Sequence, residues 1–167
     1  MVADKVKVSI PLLMLAEKEG NEEKRWLFTT DKEGNINLFH LNSRTLIELP
    51  HMNTLKGFDC DNECDYCEYY VQKALLSSDP HTTNDYILMI NQGVPHSLAY
   101  WKPGKNSFIT VETRKTAYAD VTWDNGQFYG VDVRGNVVIL NFRGGLEPTI
   151  GRIVEGVPSE FICCIHL

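Results

Sequence analysis

The stretch YADVTWDNGQFYGVDVRGNVVILN, residues 118–141, decides the architecture. Tyr118 to Trp123 and Gln127 to Val131 each read as a short strand, with Asp124-Asn125-Gly126 between them. Asn-Gly between two apolar runs is a strong hairpin signal, because both central residues of a type I′ turn need positive φ. Val137 to Asn141 makes a third strand after Asp132-Val133-Arg134-Gly135-Asn136. The same grammar extends back to Leu75. Tyr86 to Ile90, Ser97 to Trp101 and Phe108 to Glu112 are predicted strands, separated by Asn91-Gln92-Gly93 and Lys102-Pro103-Gly104-Lys105-Asn106. Short strands at regular spacing with turn chemistry between them indicate a sandwich, a barrel or a propeller.

Towards the N-terminus the pattern is patchier. Arg25 to Leu49 reads as two or three strands: Trp26 to Thr30, then Ile36 to Leu41 with period-two alternation, then Thr45 to Leu49 before Pro50. Glu17 to Arg25 reads as a charged, Gly-interrupted loop, and residues 1–9 as a frayed strand. Residues 51–68 are acidic and Cys-rich, with no base after Lys56, and read as a solvated connection. Thr149 to Val154 is a predicted last strand. No helical apolar stripe of three turns is present; Pro11 to Lys24 is the best candidate and is short. The units 69–113 and 117–155 each hold about four strands, in roughly the length of one propeller blade. The predicted fold is all-β, a partial β-propeller of antiparallel four-stranded blades. Residues 1–50 form an N-terminal segment and partial blade, 51–68 the linker, and 69–167 two propeller-like blades.

The 167 residues suffice for one domain with a core. Net charge is −6, with thirteen acids and eight bases in residues 1–68 and nearly balanced charges after that. An acidic chain lacks the electrostatic footprint of phosphate-backbone binding, so nucleic acid is not an expected partner. No apolar run reaches the roughly 18–20 residues of a membrane span, and Ile10 to Ala16 is not read as a secretory signal. Five cysteines, an odd number, point to reduced thiols in the cytoplasm or nucleus.

Several motifs together carry a family resemblance. Leu76-Ser77-Ser78-Asp79-Pro80, Asn84-Asp85-Tyr86 and Leu98-Ala99-Tyr100-Trp101-Lys102-Pro103-Gly104 occur in order. Tyr118-Ala119-Asp120-Val121, Asn125-Gly126-Gln127-Phe128-Tyr129-Gly130-Val131-Asp132 and Gly135-Asn136-Val137 follow. This series resembles the KIB-type β-propeller of plants, and Arg25 to Leu49 resembles an earlier blade of the same domain. The resemblance implies a domain that usually follows an F-box bundle. There the F-box docks on the Skp adaptor of a ubiquitin ligase, and the propeller selects the protein to be modified. No F-box-like helical segment is read here, and the final blades are not reached, so a truncated member is expected and adaptor binding is not.

The constellations that could carry chemistry are weak. Cys60-x3-Cys64-x2-Cys67 has the spacing of a radical SAM cluster motif, but hairpins follow where that chemistry needs a βα-barrel, and the surrounding acids oppose an anionic cluster. A structural zinc site centred on Cys64-x2-Cys67, with Cys60 or His51 adding a ligand and a fourth from Cys163, Cys164 or a distant histidine, is the competing reading. Asp120, Asp124 and Asp132 resemble the paired carboxylates of a glycosidase, yet Asp124 and Asp132 sit at turns, where Asp caps the backbone. The five histidines show no ligand spacing, and His81 and His96 are expected to be solvated in loops. Ser77-Ser78 lacks the glycines of a nucleophile elbow, and Gly144-Gly145 lacks the lysine of a phosphate loop. Cys163-Cys164 is read as a strand remnant.

The expectation is therefore a non-enzymatic protein-interaction module without catalytic residues or cofactor. Its loops, His81, His96 and Lys102 to Asn106 among them, would meet an unnamed protein partner. An incomplete propeller also leaves open blade edges, and self-association through them is expected.

Overall fold

A computed structural model describes residues 13–19, 22–31, 33–58, 70–93, 96–111, 117–142 and 148–154. These form three four-stranded antiparallel sheets, each a simple meander. The first contains β1 (Leu13–Glu19), β2 (Glu22–Thr30), β3 (Ile36–His40) and β4 (Leu46–Glu48). The second contains β5 (Val71–Leu76), β6 (Leu88–Gln92), β7 (Leu98–Trp101) and β8 (Ile109–Thr110). The third contains β9 (Tyr118–Asp124), β10 (Gln127–Asp132), β11 (Val137–Asn141) and β12 (Thr149–Val154). The first strand of each sheet neighbours the first strand of the next, so β5 lies between β1 and β9. That is the radial arrangement of propeller blades, and the predicted all-β partial propeller holds.

Turn chemistry sets the registers. Asn125 and Gly126 both take positive φ (48° and 76°), as a type I′ hairpin turn requires, and join β9 to β10 with Gln127 opposite Asp124. Gly135 adopts φ 76° between β10 and β11, and Gly34 adopts φ 86° between β2 and β3. A Cβ on Gly34 would also come within 2.9 Å of the His51 ring.

Two cores lie between the sheets. Trp26, Phe28, Ile36 and Leu38 of the first sheet meet Ala74, Leu88, Ile90, Ala99 and Trp101 of the second. Met89, Leu98 and Tyr100 meet Tyr118, Val121, Phe128 and Leu140 of the third. The side-chain period of two explains how one sheet serves both cores: along β6 and β7, alternate residues point to opposite neighbours. Every residue of β6 and β7 is buried, whereas β3 and β10 alternate buried and part-exposed positions. Aromatic side chains fill both seams of the second sheet, Trp101 on one side and Tyr100 on the other.

Four readings need correction. Within the expected loop Glu17 to Arg25, the described residues 17–19 and 22–25 are the paired ends of β1 and β2, with Glu17 opposite Lys24 and Lys18 opposite Glu23. The first sheet consequently has four strands, not the two or three expected, and is no partial blade. Residues 51–58 are not wholly solvated: a 3-10 turn at Met52–Thr54 sends Met52 and Leu55 into the first core, 1% and 3% exposed. Its neighbours tie down too, since Tyr70 Oη donates to the Lys56 carbonyl and Gln92 Nε2 donates to the same oxygen at 3.4 Å. Finally, the strand expected at Tyr86 to Ile90 runs from Leu88 to Gln92, and that at Phe108 to Glu112 shortens to Ile109–Thr110.

Candidate interaction surface

The β3–β4 and β5–β6 connections meet at one end of the seam between the first two sheets. His40, at the end of β3, follows the inward parity of Ile36 and Leu38 and is itself buried. Its Nδ1 lies 2.8 Å from Ser43 Oγ, which lies 3.2 Å from His81 Nε2 and 2.7 Å from Thr45 Oγ1. The two imidazoles pack at 4.3 Å between centroids, and each sits 4.9 Å from the Trp26 ring. Beneath them the buried Asp79 Oδ1 accepts from Trp26 Nε1 at 3.0 Å and from the His81 backbone N–H at 2.9 Å. Burial lowers the His40 pKa below its ordinary value and His81 adds to that, while Asp79 works the other way. The arrangement binds the blades to one another through polar groups that are mutually satisfied.

At the same end of the second seam lies a cleft of about 250 Å3. Its walls come from four connections and their flanking residues: Ser77, Ser78, Asp85 and Ile87 around β5–β6, Lys102 after β7, Gly126 between β9 and β10, and Asn141 and Phe142 after β11. Trp123 and Leu140 complete the lining. The Lys102 ammonium stands 5.4 Å above the Phe142 ring, a cation–π contact that holds a long side chain at the cleft wall. Phe142 packs edge-on against Tyr100, and Trp123 packs against Phe128 at 4.5 Å. Ser77 Oγ accepts from the Ile87 N–H at 2.8 Å, and Ser78 Oγ donates to the Asp85 carbonyl at 3.3 Å, so both serines brace the loop. The cleft thus offers a cation, a carboxylate and a part-exposed indole on a supported frame.

The carboxylates singled out in the sequence are separate. Asp132 accepts from the backbone N–H groups of Arg134 and Asn136, both at 2.8 Å, and from Asn136 Nδ2 at 2.6 Å. Burial alone would raise its pKa, but these hydrogen bonds and the Arg134 charge bring it below the ordinary value. Asp124 receives Asn125 Nδ2 at 3.0 Å. Asp120 pairs with Lys73 at 2.9 Å, joining the first strands of the second and third sheets. His51 has both ring nitrogens engaged: Nδ1 accepts from the Asn53 N–H and Nε2 lies 2.7 Å from the Glu33 carbonyl. His96 is exposed, with φ 58°. His81 is exposed as expected, yet its ring packs edge-on against His40 and is hydrogen-bonded. Cys60, Cys64, Cys67, Cys163, Cys164 and Gly144-Gly145 lie outside the described residues. Among the described residues, no group of three or more His, Cys, Asp or Glu is placed to hold a metal.

With three meander sheets side by side and their connections gathered at the seams, the relevant comparison is with propeller families. The model of the KIB1-4 beta-propeller family matches residues 6–167. The chain belongs to the KIB1-4 β-propeller family. Comparison with curated proteins and with solved structures returned no match. The motifs that carry the resemblance take on physical roles in this KIB-type propeller. Asp79 is the buried acceptor between blades, Trp101 fills the first core and donates Nε1 to the Lys105 carbonyl at 2.8 Å, and Lys102 reaches the cleft.

Sequence reading missed the Trp26, His40, Ser43 and His81 cluster. One signal was available: carrying the alternation of Ile36 and Leu38 one step further puts His40 on the buried face. It also missed an internal repeat. Asp31-Lys32-Glu33-Gly34-Asn35 and Asp132-Val133-Arg134-Gly135-Asn136 share the spacing Asp-x2-Gly-Asn. In each, the Asp accepts from both the backbone and the side chain of the Asn.

Proposed function

We propose that this chain is a non-enzymatic protein-recognition module. Its contact surface is the end of the blades that carries the cleft between the second and third sheets. The observation behind this reading is the lining itself: Lys102 fixed over Phe142, Asp85 on the β5–β6 loop and Trp123 part-exposed at the end of β9. Binding residues concentrate on such loops because a rigid scaffold positions them. A basic and an acidic group beside an aromatic surface suit a protein segment of mixed charge with an apolar anchor. Membership of a KIB-type family supports a substrate-selecting role, exercised on a protein partner in the cytoplasm or nucleus.

Capture from cell extract with the immobilised full chain tests this, run beside Lys102→Glu and Trp123→Ala with thermal melts as the folding control. A protein held by the wild type is expected to lose about tenfold or more in affinity on Lys102→Glu. An unchanged set of retained proteins with both variants folded would remove the cleft from consideration. Binding of a purified Skp-type adaptor, measured in parallel, separates ligase engagement from stand-alone binding.

A further inference from the structure

The β5–β6 connection serves two sites at once. Asp79 and His81 hold it to the first sheet, while Ser77, Asp85 and Ile87 of the same connection line the cleft against the third. The first-sheet hold runs from His81 Nε2 to Ser43 Oγ and Thr45 Oγ1, both at 3.2 Å, and from Asp79 to the Trp26 indole. Asp79 then gathers the backbone of the connection, accepting the His81 N–H at Oδ1 and the Thr82 and Thr83 N–H groups at its carbonyl. On the cleft side the Ile87 N–H donates to Ser77 Oγ, and the Ser77 N–H to the Ile87 carbonyl at 2.9 Å.

The hold requires a neutral His40. Its Nδ1 accepts the Ser43 backbone N–H at 3.2 Å, so that nitrogen carries a lone pair, and the Ser43 hydroxyl lies 2.8 Å from it. A proton on Nδ1 would set two donors against each other and release Ser43, whose hydroxyl is the bridge to His81. The His40 side chain is 7% exposed, so water does little to solvate the added charge. His81, 4.3 Å away between centroids, opposes that charge, and Asp79 favours it. Burial and His81 prevail, since the His40 pKa lies below its ordinary value. Among the described residues, β2 presents the uncharged Trp26 to the pair and the β3–β4 turn presents Ser43 and Thr45, with Arg44 the charged residue of that turn.

We propose that His40 and His81 form a proton-operated latch on the β5–β6 connection, and that uptake of a proton by the pair frees the connection and loosens the cleft wall it forms. This rests on the reading of the cleft as the contact surface and adds its regulation: a protein held there at neutral pH is released as the pH falls. The coupling is reciprocal, so a partner that grips the connection makes the pair harder to protonate. The element that both sites bias is identified, residues 77–87, and it joins them without passing through either core.

Hydrogen exchange on the full chain between about pH 7.5 and about pH 5, corrected for the intrinsic dependence of exchange on pH, tests the latch without any partner. The His81, Thr82, Thr83 and Ile87 amides are expected to lose protection on acidification, by up to about tenfold per pH unit for one proton taken up. The Val133 and Gly135 amides of the third sheet should keep theirs. His40→Asn, which leaves an acceptor where Nδ1 stood and does not titrate, should abolish the response. Ser43→Ala removes the bridge and should lower the protection of the connection already at neutral pH. Unchanged protection of the wild-type connection overturns the proposal. So does an equal loss at Val133 and Gly135, which would be opening of the whole fold, or a full response in His40→Asn. Should a variant lose its cooperative melt, the wild-type contrast between the two sets of amides decides. Retention of a partner by Lys102→Glu bears on the cleft alone, so a failed latch and a cleft that is not the contact surface give different results.

Discussion

The Trp26 indole and the Asp79 carboxylate, 53 residues apart, share a buried hydrogen bond of 3.0 Å across the first seam. Trp26 lies on β2 of the first sheet and Asp79 on the β5–β6 connection of the second, and each is packed so that water does not compete. The same oxygen of Asp79 accepts from the His81 N–H, and its carbonyl takes the Thr82 and Thr83 N–H groups, so one residue holds a loop and a neighbouring blade at once.

Asp79→Ala should therefore cost stability in two places. It strands a buried indole N–H and frees the Pro80 to Asp85 loop, for an expected loss of about 1–3 kcal/mol. Asp79→Asn retains an acceptor oxygen and should cost clearly less. Urea unfolding of both variants checks this; equal losses would mean that the charge, not the acceptor, matters.

Acidification should weaken the first seam. His40 has a folded pKa below its ordinary 6.5, set first by burial and then by His81. Between those two values the unfolded chain binds more protons, so stability falls as the pH drops through 6.5 towards the lowered folded value. Above 6.5 the contribution is complete. His40→Asn, which does not titrate, should flatten the curve of stability against pH from 7.5 to 5; an unchanged slope would assign the effect elsewhere.

The two Asp-x2-Gly-Asn turns should differ in cost. Asp132 is 5% exposed and Asp31 more so, although both bind their Asn in the same way. Asp132→Ala is expected to lose about 1–3 kcal/mol, because it removes a buried acceptor of three hydrogen bonds, and Asp31→Ala, which removes a more exposed acceptor of two, less than that. The lowered pKa of Asp132 adds a signature: its contribution is present above the unfolded value near 3.8 and disappears as the pH falls through the folded one. Denaturant midpoints at pH 7 and pH 3 for both variants provide the comparison.

Gly130→Ala should destabilise by about 1–3 kcal/mol through overpacking. A Cβ there would sit 2.8 Å from the Tyr118 ring and 3.3 Å from Val138, and Tyr118 is 1% exposed with nowhere to move. Gly126→Ala meets no atom within 4 Å, so its cost comes from φ 76° alone. If Tyr118→Leu does not relieve the Gly130→Ala defect, the clash is not the cause.

The architecture was legible because turn chemistry is local. Asn125-Gly126 and Gly135 announce their own backbone angles, and the alternation around them reports which residues face a core. The first sheet was less legible because Glu17, Lys18, Glu23 and Lys24 have the composition of a loop while their register is that of a ladder. Met52 and Leu55 were hidden inside an acidic segment. The polar cluster was least legible of all: nothing local links His40 to His81, which come together only when two blades pack. The cleft behaves the same way, since Asp85, Lys102 and Trp123 arise from separate hairpins; of these, only Lys102 was anticipated.

The second blade has no solvent-facing side along β6 and β7. A saturation library across 88–92 and 98–101 should therefore recover almost no acidic or basic replacements at any position, odd or even. The matching scan of β3 or β10 should accept them at every other site. The middle of the chain is thus where sequence drift has the least room, and the terminal blades are where paralogues can diverge.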